Sequence, residues 1–333
     1  MVVSLIFKIS LKALLKKSFK AIKQAALVAA VLLHGPLFAE PMESAHDLMA
    51  RMAKASRELN YSGVFTYEHR GNLTSAKLIH EVREGKIYER LLHMDGTQRD
   101  VVSRSDNLDC LRTGDMLLRG NAYKINNENY SRLKDFYEFH IKGDGRIADR
   151  QVSMVHVLPR DKYRYGYVVA IDKESGLLLQ SVLMSHSGKP LERFQFVDIS
   201  IGESVGHSDS QIKGGVFGTV DQADCVELNS KVDSPQSMWQ MNWLPPGFVL
   251  ASYRSPGEDG QESMMYTDGL AVFSIFIDSV QGNTLPPVDA KLGATVAVLT
   301  KADINGHQYA ICVVGEIPRR TASQVASAIG IGP

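Results

Sequence analysis

One serine in the chain has the surroundings of a possible nucleophile. Gly202-Glu203-Ser204-Val205-Gly206 matches the G-x-S-x-G pattern, in which a hydrolase serine lies on a tight turn between a strand and a helix. The residues that follow, HSDSQIKGG, have no helical pattern, and the segments around them alternate as antiparallel strands do. We therefore expect Ser204 not to be catalytic, and an esterase that uses it is only a third alternative.

A second candidate is the acidic stretch DKESG, where Asp172 and Glu174 could offer oxygen ligands to calcium. A calcium loop needs further alternating ligands and a closing glutamate at its twelfth position, and both are missing here. Two apolar segments flank the stretch, and Gly176 can adopt the positive φ that a tight turn requires. The pattern therefore predicts a hairpin turn and no metal site.

The remaining reactive residue types are scattered. The ten histidines form no HExxH motif, and Cys110, Cys225 and Cys312 are far apart with no CxxC spacing, which argues against a zinc or redox site. The sequence does not determine whether any two of these cysteines form a disulfide. A P-loop and a dinucleotide fingerprint are also missing. We therefore expect a protein that is not an enzyme and needs no cofactor.

The N-terminus has the composition of an export signal. Residues 1–39 contain six lysines and no acidic residue, followed by the apolar run AALVAAVLL and a small residue, Ala39. Their removal leaves 31 Lys and Arg against 37 Asp and Glu, a net charge of −6, which argues against a nucleic-acid partner. The pattern predicts a cleaved signal peptide, with an N-terminal membrane anchor as the alternative, and an exported protein that is either periplasmic, the location we expect, or secreted.

The elements that would hold these residues are mostly strands. Ser44 to Asp47 form a capping box before an amphipathic helix that runs to Leu59. Segments with period-two alternation then predict strands at 61–69, 75–84, 85–94, 97–104, 150–159 and 191–202. A second helix is predicted over residues 131–140.

The strand before the acidic turn is apolar on both faces. Tyr165, Tyr167 and Val169 lie on one face, and Val168 and Ala170 lie on the other. A strand of this kind either packs against protein on both sides or faces an apolar cavity on one side. Periodicity alone leaves both interpretations open.

A polar connection separates this part from the C-terminal hundred residues. Further strands are predicted within 266–278, 293–300 and 307–317, and a helix capped by Thr321 closes the chain. Aromatic residues cluster in this part, and they either fill the core of a small domain or form a binding surface. The members of the cluster are Trp239, Trp243, Phe248, Tyr253 and Tyr266.

Several stretches together resemble the RseB/MucB family of periplasmic regulators of an extracytoplasmic stress sigma factor. The resemblance covers nearly all of the chain after residue 39. It is carried by HMDGTQRDVV (93–102), GRIADRQVSMVHVLPRDKYRYGYVVAIDKESGLLLQS (145–181), GKPLERFQF (188–196), WLPPGF (243–248), YTDGLAVFSIFI (266–277) and VVGEIP (313–318). One departure is Ala170, where a bulky aromatic residue would be expected.

The resemblance implies an α+β fold in two domains. The N-terminal domain would be a curved, unclosed antiparallel β-barrel with plugging helices, similar to the lipoprotein carriers LolA and LolB. A smaller α/β domain would follow. The implied boundaries are a signal peptide at 1–39, the N-terminal domain at 40–204, a linker at 205–228 and the C-terminal domain at 229–333.

The resemblance also implies a function. Such a protein binds the periplasmic region of a membrane anti-sigma factor, similar to RseA or MucA, and protects it from site-1 proteolysis until a lipid or lipopolysaccharide fragment binds. The alternative is a periplasmic lipid or lipoprotein carrier of the LolA/LolB type, and association of identical copies is left open. The candidate lipid-cavity residues are Tyr165, Tyr167, Val169, Ala170, Leu177 and Leu179. The candidate partner-binding residues are Trp243, Phe248, Tyr266 and Phe273.

Overall fold

The structure is a computed structural model, and the predicted signal peptide, Ser204, Cys110 and Cys225 lie outside its described residues. So does most of the predicted linker, of which only 218–219 are described. Among the described residues, no helix has the length and apolar content needed to cross a membrane. The described residues are 43–69, 71–83, 86–96, 100–105, 133–202, 218–219, 237–256, 261–280, 288–304 and 306–332.

The first half of the described chain contains one long helix and ten strands. They are α1 (Ala45–Glu58), β1 (Tyr61–His69), β2 (Asn72–Arg83), β3 (Lys86–His93), β4 (Asp100–Ser105), β5 (Tyr137–Ile147), β6 (Arg150–Pro159), β7 (Gly166–Asp172), β8 (Leu178–Met184), β9 (Pro190–Ile201) and β10 (Gly218–Thr219).

The second half contains eight strands and one helix. They are β11 (Trp239–Met241), β12 (Val249–Arg254), β13 (Glu262–Thr267), β14 (Val272–Ser279), β15 (Val288–Leu292), β16 (Thr295–Ile304), β17 (His307–Gly315), α2 (Arg319–Ser327) and β18 (Ile329–Ile331).

Helix α1 begins at the predicted capping box. The Ser44 hydroxyl accepts a hydrogen bond from the Asp47 backbone N–H at 3.1 Å, and the Asp47 carboxylate accepts one from the Ser44 backbone N–H at 3.4 Å. These two bonds satisfy donors that the first helical turn leaves without partners. The apolar stripe of the helix, which includes Leu48, Met49 and Met52, is buried against the first sheet.

The first sheet is open and strongly curled. Its strand order is β10-β4-β3-β2-β1-β9-β8-β7-β6-β5, and every pair except β10–β4 is antiparallel. Three strands separate β5 from β9, so a flat sheet would hold them about 19 Å apart. Their Cα atoms nevertheless approach within 8 Å, which requires the sheet to curl toward α1. The predicted curved, unclosed antiparallel sheet is confirmed.

The second sheet is smaller and wholly antiparallel. Its strand order is β12-β13-β14-β17-β16-β15, and α2 packs across β16 and β17. A separate pair of short strands, β11 and β18, lies beside it. The fold class is therefore α+β, with a smaller second domain as predicted.

Three clusters of buried apolar side chains stabilise the chain. One lies within the first half of the described chain and a second within the C-terminal hundred residues. The third is shared, because Met265, Leu270, Val272 and Ala294 of the second part pack among side chains of α1 and the first sheet. The two parts therefore do not have wholly separate cores.

Two local predictions are corrected by the structure. Of the helix predicted over 131–140, the described residues 133–136 are helical, but the prediction is wrong from Tyr137 onward, because there the chain pairs with β6 as strand β5. Tertiary pairing here overrides a weak local helix preference. The predicted cap at Thr321 is also wrong, because Pro318 is the N-cap and Thr321 lies inside the first turn of α2.

Candidate functional site at the junction of the two sheets

The acidic stretch between β7 and β8 is a hairpin turn, as predicted. Gly176 has φ +82°, and the Asp172 Oδ2 atom accepts hydrogen bonds from the N–H and hydroxyl of Ser175 at 2.7 and 2.6 Å. The Arg150 guanidinium donates two further bonds to the same carboxylate, both at 2.9 Å. The Asp172 carboxylate therefore uses its capacity to accept hydrogen bonds in holding the turn.

The charge of Asp172 is stabilised by these bonds. Burial raises the pKa of the Asp172 carboxyl, but the hydrogen bonds from Arg150 and Ser175 outweigh it and hold the pKa below its ordinary value. Within the described ranges, no group of three histidine, cysteine or acidic side chains is arranged to hold a metal ion.

The six candidate lipid-cavity residues are all buried, and they divide between two clusters. Tyr165, Tyr167 and Val169 belong to the cluster that the two sheets share. Ala170, Leu177 and Leu179 belong instead to the cluster of the first sheet. None of the six has more than 5% of its surface exposed, so β7 and β8 are packed against protein in this conformation.

The shared cluster shows what covers the candidate residues of β7. Val169 is fully buried in the cluster that contains Leu48 and Met52 of α1 and Leu270 of the β13–β14 turn. The Tyr167 hydroxyl donates a hydrogen bond to the Leu270 carbonyl oxygen at 3.3 Å. The side of the strand that carries Tyr167 and Val169 is therefore occupied by α1 and by the β13–β14 turn.

A buried ion pair joins the same strand region to the second sheet. The side chains of Arg164 and Asp268 are both 0% exposed, and the Arg164 Nη1 atom donates a hydrogen bond to the Asp268 Oδ2 atom. The Tyr137 hydroxyl donates to the same oxygen at 2.9 Å. The Asp268 Oδ1 atom accepts the backbone N–H groups of Leu270 and Ala271, both at 2.8 Å. One carboxylate thus shapes the β13–β14 turn and fixes it to the first sheet.

The guanidinium of Arg164 has partners on every side. It donates to the Asp161 carboxylate at 2.9 and 3.2 Å and to the Pro246 carbonyl oxygen. Its central carbon lies 5.0 Å from the ring centroid of Phe136 and 5.1 Å from that of Phe248, within the range of cation–π attraction. Each of its three nitrogens therefore donates at least one hydrogen bond, and a buried arginine held in this way is a structural anchor.

Burial shifts the pKa values at this anchor. It raises the pKa of Asp268 above its ordinary value, although the charge of Arg164 and the backbone N–H groups act in the opposite direction. Burial and the nearby charge of Asp268 raise the pKa of Tyr137 well above 10. For Arg164, burial lowers the pKa, but the negative charge of Asp268 helps to outweigh it, and the arginine stays charged.

A second polar link joins the sheets at the β15–β16 hairpin. The Glu192 carboxylate of β9 is 8% exposed and accepts the Ala294 N–H at 2.9 Å and the Tyr67 hydroxyl at 2.6 Å. His69 Nδ1 lies 2.9 Å from the same carboxylate. Gly293 has φ +65°, and a Cβ there would lie 2.6 Å from the His69 ring, so the hairpin tip fits closely against the first sheet.

The candidate partner-binding residues differ in exposure. Phe248, Tyr266 and Phe273 are buried in the core of the second sheet, where Tyr266 stacks on Phe273 at 5.4 Å between ring centroids. Their side chains are therefore not on the surface in this conformation. Trp243 is half-buried and meets the ring of Tyr163 edge-on at 5.3 Å. Of the four residues, Trp243 alone keeps a surface that a partner could contact directly.

Sequence reasoning missed Arg164, Asp268, Tyr137 and Glu192. A local signal existed only for Arg164, a charged residue that directly precedes an apolar strand. The other three acquire their roles from residues more than 100 positions away, which a local pattern does not reveal.

Comparison with known proteins identifies the family. The model of the MucB/RseB N-terminal domain matches residues 44–214, and that of the MucB/RseB C-terminal domain matches residues 233–330. The chain is 33% identical over 311 residues to the sigma factor AlgU regulatory protein MucB of Pseudomonas aeruginosa, covering 90% of this chain and 96% of the relative. It is 28% identical over 319 residues to the sigma-E factor regulatory protein RseB of Haemophilus influenzae, covering 92% of this chain and 98% of the relative.

Solved structures agree with this assignment. The structure of MucB in complex with MucA(peri) is similar with a TM-score of 0.69 and 32% identity, covering 87% of this chain and all of the other. A structure of MucB alone has a TM-score of 0.61 and 30% identity, covering 86% of this chain and 98% of the other. The chain therefore belongs to the MucB/RseB family.

Proposed function

We propose that this protein is a periplasmic, non-enzymatic negative regulator of an extracytoplasmic stress sigma factor. It binds the periplasmic region of a membrane anti-sigma factor and shields that region from the site-1 protease. The observation that carries the proposal is family membership across both domains, with relatives named as sigma factor regulatory proteins. The solved complex of the relative MucB with MucA(peri) supports the class of partner.

The geometry of the junction favours binding over catalysis. The buried acid Asp268 accepts two backbone N–H groups, and Glu192 accepts one, all from hairpin turns of the second sheet. Arg164 is enclosed by aromatic rings and fixed acceptors. Groups held this way keep two domains in register, and they are poorly placed to exchange protons with a substrate.

A lipid or lipopolysaccharide fragment would release the partner by linkage. If the ligand prefers the conformation that binds the anti-sigma factor weakly, each ligand lowers the affinity of the other by the same factor. The candidate residues Tyr165, Tyr167 and Val169 pack in the cluster that also contains Leu270 of the second domain. A ligand that enters this cluster must displace either α1 or the β13–β14 turn, so binding would disturb the junction. The cavity role of these residues, and of Ala170, Leu177 and Leu179, is part of this proposal.

The test is a binding titration of the full mature chain with the periplasmic segment of the anti-sigma factor encoded beside it, with and without lipopolysaccharide. We expect saturable binding that weakens as lipopolysaccharide is added. Lack of binding in both conditions would overturn the regulator, and lipid binding without partner binding would favour the carrier. Partner affinity that does not change with lipopolysaccharide would retain the regulator and remove the release mechanism.

A further inference from the structure

Tyr165 is a buried tyrosine whose hydroxyl lacks a hydrogen bond. Only 5% of its surface is exposed, and its ring packs in the shared cluster directly before β7. The hydroxyls of Tyr137 and Tyr167, in the same cluster, both donate hydrogen bonds, but within the described ranges no group bonds to the hydroxyl of Tyr165. Because buried polar groups are almost always hydrogen-bonded, this unbonded hydroxyl points to a ligand group.

Charges from both domains act on this hydroxyl. Burial raises the pKa of the Tyr165 phenol, Arg319 lowers it and Glu192 raises it, so a cation of α2 and an anion of β9 both lie near the oxygen. The centroid of the His186 ring, in the β8–β9 turn, lies 6.1 Å from that of Tyr165. Arg319 is 48% exposed, which places it at the edge of the junction. The hydroxyl therefore lies between the buried cluster and a charged edge.

The first turn of α2 adds to the positive character of this edge. Pro318 is the N-cap and supplies no side-chain hydrogen bond, and no acidic residue lies in the turn. The Thr321 hydroxyl donates to the Tyr163 carbonyl oxygen at 3.0 Å, which holds the turn against the chain two residues before Tyr165. Arg320 is exposed and forms no ion pair with any residue that the structure describes. A helix that begins with arginines and no acidic cap attracts an anion.

The acids near these cations leave room for a further anion. The Glu192 carboxylate already accepts the donors that hold the β15–β16 hairpin against the first sheet. Asp289 of β15 lies 3.1 Å from the Nε atom of Arg319, but both side chains of this pair are about half-exposed, so water weakens it. Neither acid bonds to the hydroxyl of Tyr165, and Arg319 can exchange Asp289 for an anion that binds it more strongly.

We propose that Tyr165, Arg319 and the first turn of α2 bind a phosphate group carried by a lipid, an inference that names the ligand chemistry of the release step and rests on the proposed function. The phenol and the guanidinium donate to the phosphate oxygens, and the planar guanidinium suits phosphate because two of its N–H groups can bind together. The ring of Tyr165 belongs to the shared cluster, so an acyl chain attached to the phosphate meets apolar side chains. A free phosphate ion would use only the charged edge.

A phosphate at this place joins the two domains. Tyr165 belongs to the first domain and Arg319 to the second, so the geometry of the phosphate site depends on how the domains are placed relative to each other. A ligand shifts a conformational equilibrium only by its different affinity for the two states. A lipid phosphate held from both sides has such a difference, and it therefore lowers the affinity for a partner that requires another arrangement of the domains.

Two single substitutions test the site by calorimetry. The full mature chain is titrated with phosphorylated lipid A in detergent micelles, with the same lipid after removal of its phosphates, and with inorganic phosphate. We expect Tyr165→Phe and Arg319→Gln each to weaken binding of the phosphorylated lipid about tenfold, because each removes a hydrogen bond to a charged group. Binding of the dephosphorylated lipid should not change in either variant.

Matched variants control for unspecific effects. Tyr309→Phe removes the hydroxyl of a half-buried tyrosine that packs edge-on against Trp239 at 4.8 Å. Arg146→Gln removes the charge from an exposed ion pair of the β5–β6 hairpin. Both should bind the phosphorylated lipid as the wild type does. Arg319→Lys keeps the charge, so it should lose less affinity than Arg319→Gln. Circular dichroism first establishes that each variant is folded.

The outcomes separate this site from the proposed function. If removal of the phosphates does not change lipid binding, or if both Tyr165→Phe and Arg319→Gln bind the phosphorylated lipid normally, the phosphate site is wrong. Inorganic phosphate that binds as tightly as the lipid, and only when the hydroxyl of Tyr165 is present, would overturn the lipid and leave the phosphate site.

Titration with the anti-sigma segment completes the test. If the segment binds and lipopolysaccharide releases it equally well from the wild type and from both variants, the inference is wrong and the regulator stands. If the phosphorylated lipid binds through Tyr165 and Arg319 but the wild-type chain binds no segment, the regulator and the release role fall, and the phosphate site stands.

Discussion

Replacing Asp268 with alanine should destabilise the protein strongly. The change removes the Asp268 carboxylate that pairs with the fully buried Arg164, together with the acceptor of the Leu270 and Ala271 N–H groups. Breaking a buried ion pair by removing one partner typically costs about 3–5 kcal/mol, because the remaining charge is left without compensation. Asp161 still neutralises part of the Arg164 charge. We therefore expect a loss of about 3 kcal/mol, a large share of an ordinary unfolding free energy.

A double-mutant cycle tests the reason for this loss. Arg164→Met alone should also destabilise, because it leaves the Asp268 carboxylate buried without its cation. The double variant Arg164→Met/Asp268→Ala should be more stable than the sum of the single changes by about 2 kcal/mol, since neither charge then remains alone. As a control, Arg146→Met removes an ion pair whose two side chains are 66% and 79% exposed, and should change stability by less than about 1 kcal/mol.

The assay is urea unfolding, followed both by circular dichroism and by the fluorescence of Trp239 and Trp243, the only tryptophans in the chain. The midpoint and slope give the free energy of unfolding. If both single variants lose less than about 1 kcal/mol and the double variant is simply additive, the junction is not an energetic link. Separate transitions for the two signals would instead mean that the sheets unfold independently.

Two further predictions concern β7 and its hairpin. Because the pKa of Asp172 is held below its ordinary value, its ionised form stabilises the fold above about pH 4, and this contribution is lost as pH falls through the folded-state pKa. The melting temperature of Asp172→Asn should therefore decrease less than that of the wild type as the pH is lowered. An equal decrease in both proteins would contradict this. Ala170→Trp should cost about 1–3 kcal/mol or more, because Ala170 is 0% exposed and the added ring has no space. The control Val168→Trp, at a half-buried position on the same strand, should cost less in urea unfolding, and equal losses would refute the packing argument.

Elements with strong local patterns could be predicted from the sequence. β1 and β6 have the predicted bounds, because their side chains alternate over nine and ten residues between turn signals. The hairpin turn at Asp172 and the cap at Ser44 depend on residues within four positions of one another, and local chemistry determines both. The start of β5 could not be found this way, since Tyr137 is held by Asp268 across 131 residues.

The candidate site shows the same limit. Alternation correctly indicates that β7 is apolar on both faces, but a period of two does not reveal what lies against each face. Tyr167 meets Leu270, 103 positions away, and the sequence contains no sign of that meeting. For the aromatic residues of the C-terminal part, the sequence left open whether they fill the domain core or form a binding surface. Burial places Phe248, Tyr266 and Phe273 in the core and leaves Trp243 partly outside.

The shared cluster has a consequence for how the protein is made. A chain is synthesised from its N-terminus, so α1 and the strands through β9 emerge before Leu270, Val272 and Ala294, which complete their packing. Until those residues emerge, the apolar side of the first sheet, which packs against them in the complete fold, is not covered by the second domain. We therefore expect a chain truncated after Ile201 to expose that surface permanently and to aggregate more readily than the full chain.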